Sequence, residues 1–220
     1  MPGNCAARRQ LRDRCVVLGV YQESRAQPFV RIGLDGVQRE VFFCVVRDPL
    51  DRAVSAFELP GIAVGGVSVG EPVEEMHRIV RDVTPLLPVD RPRYLMGVGK
   101  PDDLVGAVER GVDMFDCVLP TRSGRNGQAF TWNGALNLRN ARFAEDTGPL
   151  DDRCACPTCA TYSRAYLHHL IKSGEMLGAM LLTEHNIGFY QQLMAAMREA
   201  IGQDRFAAFA QAFRSAYLGK

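Results

Sequence analysis

The stretch that decides the fold is residues 114–127, which read Met-Phe-Asp-Cys-Val-Leu-Pro-Thr-Arg-Ser-Gly-Arg-Asn-Gly. Its first five residues are apolar enough for a buried strand, and they carry one carboxylate, Asp116. The residues that follow are predicted to form a basic loop containing glycine. A carboxylate at the C-terminal end of a strand is where α/β barrels place catalytic groups. The arginines beside it can form charge-assisted hydrogen bonds with phosphate groups.

Strands and helices alternate upstream of this stretch. Apolar strands are predicted at residues 62–66, 94–98 and 114–118, with helices at 74–83 and 101–110 between them. Such alternation is typical of parallel βαβ units. Three parallel strands cannot close a barrel of eight. We therefore expect an α/β fold that is the C-terminal part of a (β/α)8 barrel and does not close by itself. A fragment of a longer barrel is favoured over completion by the N-terminal segment or by a partner chain.

The two ends of the chain differ in character. Residues 1–57 are predicted to be an atypical N-terminal segment without assignment, holding at most a short strand at 41–46 and a helical turn at 51–58. Residues 129–138 alternate as in a hairpin. The apolar stripes after residue 160 predict a helical C-terminus, in the segments 162–173, 181–200 and 206–217.

Composition limits the classes of function. The 220 residues are 47% hydrophobic and 23% charged, with a net charge of +1, as in ordinary globular proteins. Residues 117–144, however, contain four arginines and no Asp or Glu. This local positive charge is suited to binding RNA phosphates, and the alternative interpretation is a solvated basic loop. No stretch approaches the roughly 18 apolar residues of a membrane span. Seven cysteines without a recognisable secretory signal favour a reducing cytoplasm.

Three cysteines lie within six residues, in the pattern Cys154-x-Cys156-x2-Cys159. This spacing favours a metal site over a disulfide framework, and a closed set of four N or S ligands is typical of structural zinc. His185 is a candidate for the fourth ligand. His168 and His169 are its rivals.

Together these motifs resemble tRNA-guanine transglycosylase, also called queuine tRNA-ribosyltransferase, of the bacterial type. The resemblance rests on Asp-Met-Phe-Asp-Cys-Val-Leu-Pro-Thr-Arg at 113–122, Gly-Val-Gly-Lys-Pro-Asp-Asp at 97–103, Ala-Val-Gly-Gly at 63–66 and Thr-Glu-His-Asn at 183–186. It starts near Gly61 and runs almost to the C-terminus. It therefore covers the second half of the usual family chain, and it implies a C-terminal half-barrel at 58–220 with a zinc-binding subdomain at about 145–190.

The resemblance also implies roles for individual residues. Asp116 matches the nucleophile, and His185 completes the zinc site in place of its two rivals. The base pocket is expected to include Gly65, Gly66 and Met96. The expected RNA contacts are Gly97, Val98, Gly99, Lys100, Pro101, Asp102, Asp103, Thr121, Arg122, Ser123, Gly124 and Arg125.

The activity that the resemblance implies is base exchange. Guanine at the wobble position of a tRNA with a GUN anticodon is replaced by a 7-deazaguanine of the preQ1 type, during queuosine biosynthesis, through a covalent link between Asp and ribose. The expected partners are tRNA, the free base and a second copy of the chain in a homodimer. One structural zinc ion is the expected cofactor.

The family's general base and guanine-recognising Asp belong to its first half, and neither segment is found here. Gln38 only partly matches a Gln that contacts the base in the family, because Arg39 and Glu40 stand where the family has glycines. The alternative function is therefore an inactive, zinc-stabilised module for tRNA binding or dimerisation. A zinc-ribbon regulator would need a second cysteine pair, which this sequence does not contain.

Overall fold

A computed structural model of the chain describes residues 17–19, 29–34, 37–46, 61–65 and 72–219. The helical turn predicted at 51–58 and the candidate pocket residue Gly66 lie outside these ranges. The chain divides into two compact units. One comprises residues 1–117 and 198–206, and the other comprises 118–197 and 207–220.

The first unit is built on a sheet whose described strands run in the order β1-β6-β5-β4-β3-β2. The strands are β1 (Val17–Gly19), β2 (Phe29–Leu34), β3 (Val37–Val46), β4 (Gly61–Val64), β5 (Arg93–Leu95) and β6 (Met114–Cys117). All neighbouring pairs are parallel except β2 and β3, which are antiparallel. The predicted α/β class is thus confirmed. The described strands form an open sheet, and they do not show the predicted barrel.

Helices connect the parallel strands as the alternation predicts. Helix α1 (Val73–Val83) is followed by a 3₁₀ turn (Thr84–Leu86), and α2 (Pro101–Glu109) begins at the proline expected in its first turn. Strand β5 ends at Leu95, before the predicted residue 98. The reason is that Gly97 has φ +72°, a left-handed conformation that turns the backbone out of the sheet.

The second unit combines a hairpin with helices. Its elements are α3 (Leu119–Arg125), β7 (Gln128–Thr131), β8 (Gly134–Asn137), a 3₁₀ turn (Ala141–Phe143), α4 (Pro157–Thr161), α5 (Arg164–Ser173) and most of α6 (Met176–Gly202) and α7 (Phe206–Leu218). Strands β7 and β8 pair antiparallel, which confirms the predicted hairpin. Among the described helices, none is long and apolar enough to cross a membrane.

The prediction of a basic loop at residues 121–125 was wrong, because these residues form helix α3. Pro120 lies in its first turn, and the Arg122 N–H donates to the Val118 carbonyl at 2.8 Å. Gly124 disfavours a helix by intrinsic propensity. Here it permits a close approach, since a Cβ on Gly124 would lie 2.7 Å from the backbone nitrogen of Thr183 in α6. Tertiary packing therefore overrides the local preference.

Asn186 links three elements of the second unit. Its Oδ1 accepts from the Phe130 N–H at 2.9 Å, while its Nδ2 donates to the carbonyls of Pro120 and Gln128, both at 2.9 Å. The side chain is fully buried. One amide thus holds α6, β7 and the first turn of α3 together.

We expect Asn186→Ala to lower the free energy of unfolding by about 2–4 kcal/mol, because it leaves buried backbone groups without partners. Urea unfolding followed by circular dichroism measures this change. The control is Asn133→Ala, since Asn133 is exposed at the hairpin turn and should cost less than about 0.5 kcal/mol. Equal losses in the two variants would contradict the role given to Asn186.

Candidate active site and metal centre

The carboxylate of Asp116 is held through one of its two oxygens. The Tyr94 hydroxyl donates to Oδ1 at 2.7 Å, and the Gly97 N–H donates to the same oxygen at 2.9 Å. Asp116 is half-buried in β6, and Tyr94 is only 5% exposed. No described residue donates to Oδ2. The carboxylate is therefore fixed in orientation, with Oδ2 left to accept a proton or attack an electrophile.

The pairing of β5 with β6 explains how Tyr94 reaches Asp116. Tyr94 pairs with Met114, so alternation places Tyr94, Met114 and Asp116 on one face. Two residues along a strand span about 6.6 Å, a length that a tyrosine side chain covers. Sequence reasoning identified Tyr94 only as a strand residue. The signal that it missed was this register, which becomes visible once β5 and β6 are taken as parallel neighbours.

Two predicted pocket residues lie in the same row of the sheet as Asp116. Val64, Leu95 and Phe115 pair across β4, β5 and β6, and the residues that follow them in the chain are Gly65, Met96 and Asp116. The Met96 N–H donates to the Val64 carbonyl at 3.2 Å, which keeps the row in register. Gly65 is buried and Met96 is half-buried. The structure thus brings together three residues that are far apart in the sequence.

Residues 97–103 form a turn and the first residues of α2, and only some of these predicted RNA contacts are exposed to solvent. Gly97 and Lys100 are exposed, whereas Val98, Gly99 and Pro101 are buried and Asp102 is half-buried. Asp103 is buried, and its Oδ1 lies 3.4 Å from His77 Nε2 in α1. Burial, with nearby Asp102, raises the pKa of the Asp103 carboxyl above its usual value. Asp103 therefore faces the protein interior.

Helix α3 divides its residues between two surroundings. Ser123 and Gly124 are buried, and the half-buried Thr121 donates its hydroxyl to the Val118 carbonyl at 3.1 Å. Arg122 and Arg125 are exposed. Residues three apart share a helix face, so the two guanidinium groups extend from one side of α3.

The three clustered cysteines meet His185 in the second unit. The sulfur atoms of Cys154, Cys156 and Cys159 lie 3.8, 3.5 and 3.3 Å from His185 Nδ1. All four ligand atoms are within 4.8 Å of one another, and all four residues are buried. In a tetrahedral zinc site, sulfur and nitrogen ligands stand about 3.5 Å apart. The cluster thus fits a small tetrahedral cation.

Neighbouring groups orient these ligands. His185 Nε2 lies 2.8 Å from the Phe130 carbonyl, so Nε2 carries the proton and Nδ1 faces the sulfurs as a lone pair. The Cys159 N–H donates to Cys156 Sγ at 3.4 Å, and Gln192 Nε2 donates to Cys154 Sγ at 3.6 Å. Such donors stabilise thiolates, the form in which cysteine binds metals.

Burial sets the protonation of the cluster. Burial lowers the pKa of His185, which keeps the imidazole neutral at pH 7, as a metal ligand must be. Burial also raises the pKa of the Cys156 and Cys159 thiols. A bound cation would offset the cost of placing thiolates there.

The rival histidines lie apart from the cluster. His168 Nδ1 is 2.6 Å from the Leu138 carbonyl, and His169 is exposed on α5. Among the described residues, the group that could hold a metal ion contains His185 and neither rival.

Comparisons with known proteins agree on one family. The family model for queuine tRNA-ribosyltransferase matches residues 42–218, so the match begins upstream of Gly61. A queuine tRNA-ribosyltransferase of Novosphingobium aromaticivorans is 59% identical over 220 residues, which cover 96% of this chain and 59% of the relative. That of Zymomonas mobilis is 57% identical over 198 residues, covering 90% and 51%. That of Sphingopyxis alaskensis is 59% identical over 193 residues, covering 84% and 52%.

The chain thus spans between half and three fifths of the length of these curated relatives. The family match includes Asp116, helix α3 and all four residues of the metal cluster. On this evidence the chain belongs to the queuine tRNA-ribosyltransferase family.

Proposed function

We propose that this chain carries the nucleophile of a tRNA-guanine transglycosylase. The reaction replaces guanine at the wobble position of a tRNA with a GUN anticodon by a 7-deazaguanine of the preQ1 type, in queuosine biosynthesis. The observation that carries the proposal is the Asp116 carboxylate, held at Oδ1 by Tyr94 and Gly97 with Oδ2 uncommitted. The relatives are named queuine tRNA-ribosyltransferase, and a ribosyltransferase breaks and forms bonds at a ribose carbon, as this reaction does.

The covalent step uses the uncommitted oxygen. Asp116 Oδ2 attacks C1′ of the wobble nucleotide, and the bond from C1′ to N9 breaks as guanine leaves with its electron pair and takes up a proton. The incoming base then loses its N9 proton to a general base and attacks C1′, which releases the carboxylate. Tyr94 and Gly97 hold the carboxylate in line during both steps. We propose that Gly65 and Met96, which lie in the same row across the sheet as Asp116, contact the base.

A second group is needed for full activity. The family resemblance implies a general base and an Asp that recognises guanine, and the sequence analysis identifies neither among the residues of this chain. A general base contributes about 10²–10⁴-fold in rate. We therefore propose that the chain by itself exchanges bases slowly.

We expect purified chain to incorporate labelled guanine into a tRNA with a GUN anticodon at least about 10²–10⁴-fold more slowly than the Zymomonas mobilis relative. We expect Asp116→Asn to abolish the remaining exchange, because an amide cannot form the ester link to ribose. Scintillation counting of precipitated tRNA measures both rates. Exchange that persisted in Asp116→Asn would contradict the assignment of the nucleophile.

Tyr94→Phe tests the positioning of Asp116. Removing a hydrogen bond to a charged group costs about 1.5–3 kcal/mol, so kcat should fall about 10- to 100-fold while KM for tRNA stays nearly constant. The matched control is Tyr166→Phe, because Tyr166 is exposed on α5 and stacks on Tyr162. A kcat that is equal in the two variants would show that the Tyr94 hydroxyl does not position the nucleophile.

We further propose that Cys154, Cys156, Cys159 and His185 hold one structural Zn²⁺ in a subdomain at about 145–190. Four protein ligands leave no open position for water or substrate, so the ion stabilises the fold. The need for reduced thiols favours the cytoplasm. The family resemblance supports a homodimer as the assembled form.

Metal analysis tests this site. We expect one zinc ion per chain in the wild-type protein and less than a tenth of that in Cys159→Ala, with a lower Tm. Cys117→Ser is the control, because Cys117 lies in β6 of the other unit and should leave the zinc content unchanged. Lowering the pH should also release the metal, since protons compete for the thiolates. A wild-type chain that folds without metal and keeps its Tm in a chelator would disprove the site.

The alternative function is a zinc-stabilised module that binds tRNA or forms dimers without catalysis. The half-length match to the relatives favours it. The exchange assay separates the two functions. A folded, zinc-bound chain that binds tRNA and shows no exchange above the Asp116→Asn background would establish the module.

A further inference from the structure

Arg139 lies outside the segments that the family resemblance assigns to RNA, yet the fold places it beside one of them. It follows β8, is exposed, and donates from Nε to the Asn126 carbonyl at 3.3 Å. Asn126 is the C-cap residue that follows helix α3, and its N–H donates to the Arg122 carbonyl at 3.1 Å. The guanidinium of Arg139 is therefore anchored at the end of the helix that presents Arg122 and Arg125.

The side chain of Arg139 lies against a glycine. Gly127 has φ +84°, and a Cβ at this position would lie 3.4 Å from Arg139 Cγ and 2.8 Å from Ile171 Cγ2. The aliphatic part of Arg139 thus passes across the turn between α3 and β7. Its own N–H donates to Asn137 Oδ1 at 3.0 Å, which fixes the backbone from which the side chain starts.

The charge of this region is not neutralised by the described residues. Arg122, Arg125 and Arg139 form no ion pair with any described carboxylate, and residues 117–144 contain no Asp or Glu. Other exposed arginines differ: Arg78 pairs with Glu75, and Arg205 lies 3.2 Å from Glu199. After the bond to Asn126, the terminal nitrogens of Arg139 still have N–H groups to donate.

The hairpin and helix that carry these arginines are fixed to each other. Asn186 bonds both to β7 and to the first turn of α3. A rigid set of cations loses less conformational entropy on binding a ligand than mobile side chains do. Cations that lack counter-ions and share one rigid surface are suited to a polyanion.

We propose that Arg139, Arg122 and Arg125 form a single cationic surface for the RNA phosphate backbone, so that RNA contacts extend from helix α3 onto the β7–β8 hairpin. This rests on the proposed function for the identity of the RNA, a tRNA with a GUN anticodon. The guanidinium fork of Arg139 donates to phosphate oxygens in pairs. Its anchored Nε sets the direction of that fork.

Binding of labelled tRNA to the purified chain, measured over a range of salt concentrations, tests the surface. The binding constant falls as salt rises, and each phosphate contact adds about 0.7–0.9 to the magnitude of the slope of log K against log salt, which is what slope means below. We expect Arg139→Gln to weaken binding about 3- to 10-fold at ~0.1 M salt and to lower the slope by about one contact. Arg139→Lys should keep the slope, because it keeps the charge.

The matched control is Arg78→Gln, since the charge of Arg78 is already paired with Glu75 and its loss should leave the slope unchanged. Arg122→Gln is the comparison within the surface and should lower the slope as Arg139→Gln does. If Arg139→Gln and Arg139→Lys share a lowered Tm and an unchanged slope, Arg139 only ties down Asn126 and the proposal is wrong.

The outcomes separate this proposal from the proposed function. A slope that falls in Arg122→Gln but not in Arg139→Gln overturns the extended surface and leaves tRNA as the substrate. A slope that falls in both variants, in a chain without base exchange, supports the surface and overturns the catalytic function. A chain that binds no tRNA overturns the surface outright.

Discussion

Two consecutive side chains of helix α6 satisfy both backbone groups of one strand residue. The Phe130 carbonyl accepts from His185 Nε2, and the Phe130 N–H donates to Asn186 Oδ1. A buried peptide group without partners costs about as much as a lost hydrogen bond, so β7 depends on these contacts. The same two residues face in different directions: His185 towards the cysteines, and Asn186 towards the first turn of α3. The metal cluster and the basic helix are thus parts of one arrangement around Phe130.

Asp116 is positioned in another way. Its partners are a side chain from the neighbouring strand and a backbone N–H from a glycine turn, so its orientation follows from parallel strand pairing. The row that contains Gly65, Met96 and Asp116 follows from the register in which β4, β5 and β6 pair. Parallel sheets gather functional groups at the carboxyl ends of their strands for this reason. The contacts that orient Asp116 therefore involve none of the four residues of the metal cluster.

The features that could be predicted from the sequence depend on interactions between residues that are close together in the chain. The Cys154-x-Cys156-x2-Cys159 pattern is local and was readable directly, and the apolar periods located β4, β6, α1 and α2 to within a few residues. His185 could not be separated from His168 and His169 by spacing, since only the packing of α6 against the cysteine loop decides between them. Tyr94 reaches Asp116 because of the register between β5 and β6, and Arg139 reaches Asn126 across the turn between α3 and β7. No local sequence pattern reveals either contact. Helix α3 was missed because its glycine serves a contact with Thr183.

The position of His185 in the chain also orders events during synthesis. The ribosome delivers α3, the hairpin and the cysteine loop before α6, which supplies the ligand and the amide that bind them. Until α6 has been synthesised, the Phe130 peptide has neither of its two side-chain partners, and the three thiols lack the imidazole of His185. Because both depend on α6, assembly of the three cysteines with His185 and closure of the hairpin onto helix α3 become a single step, late in the synthesis of the chain.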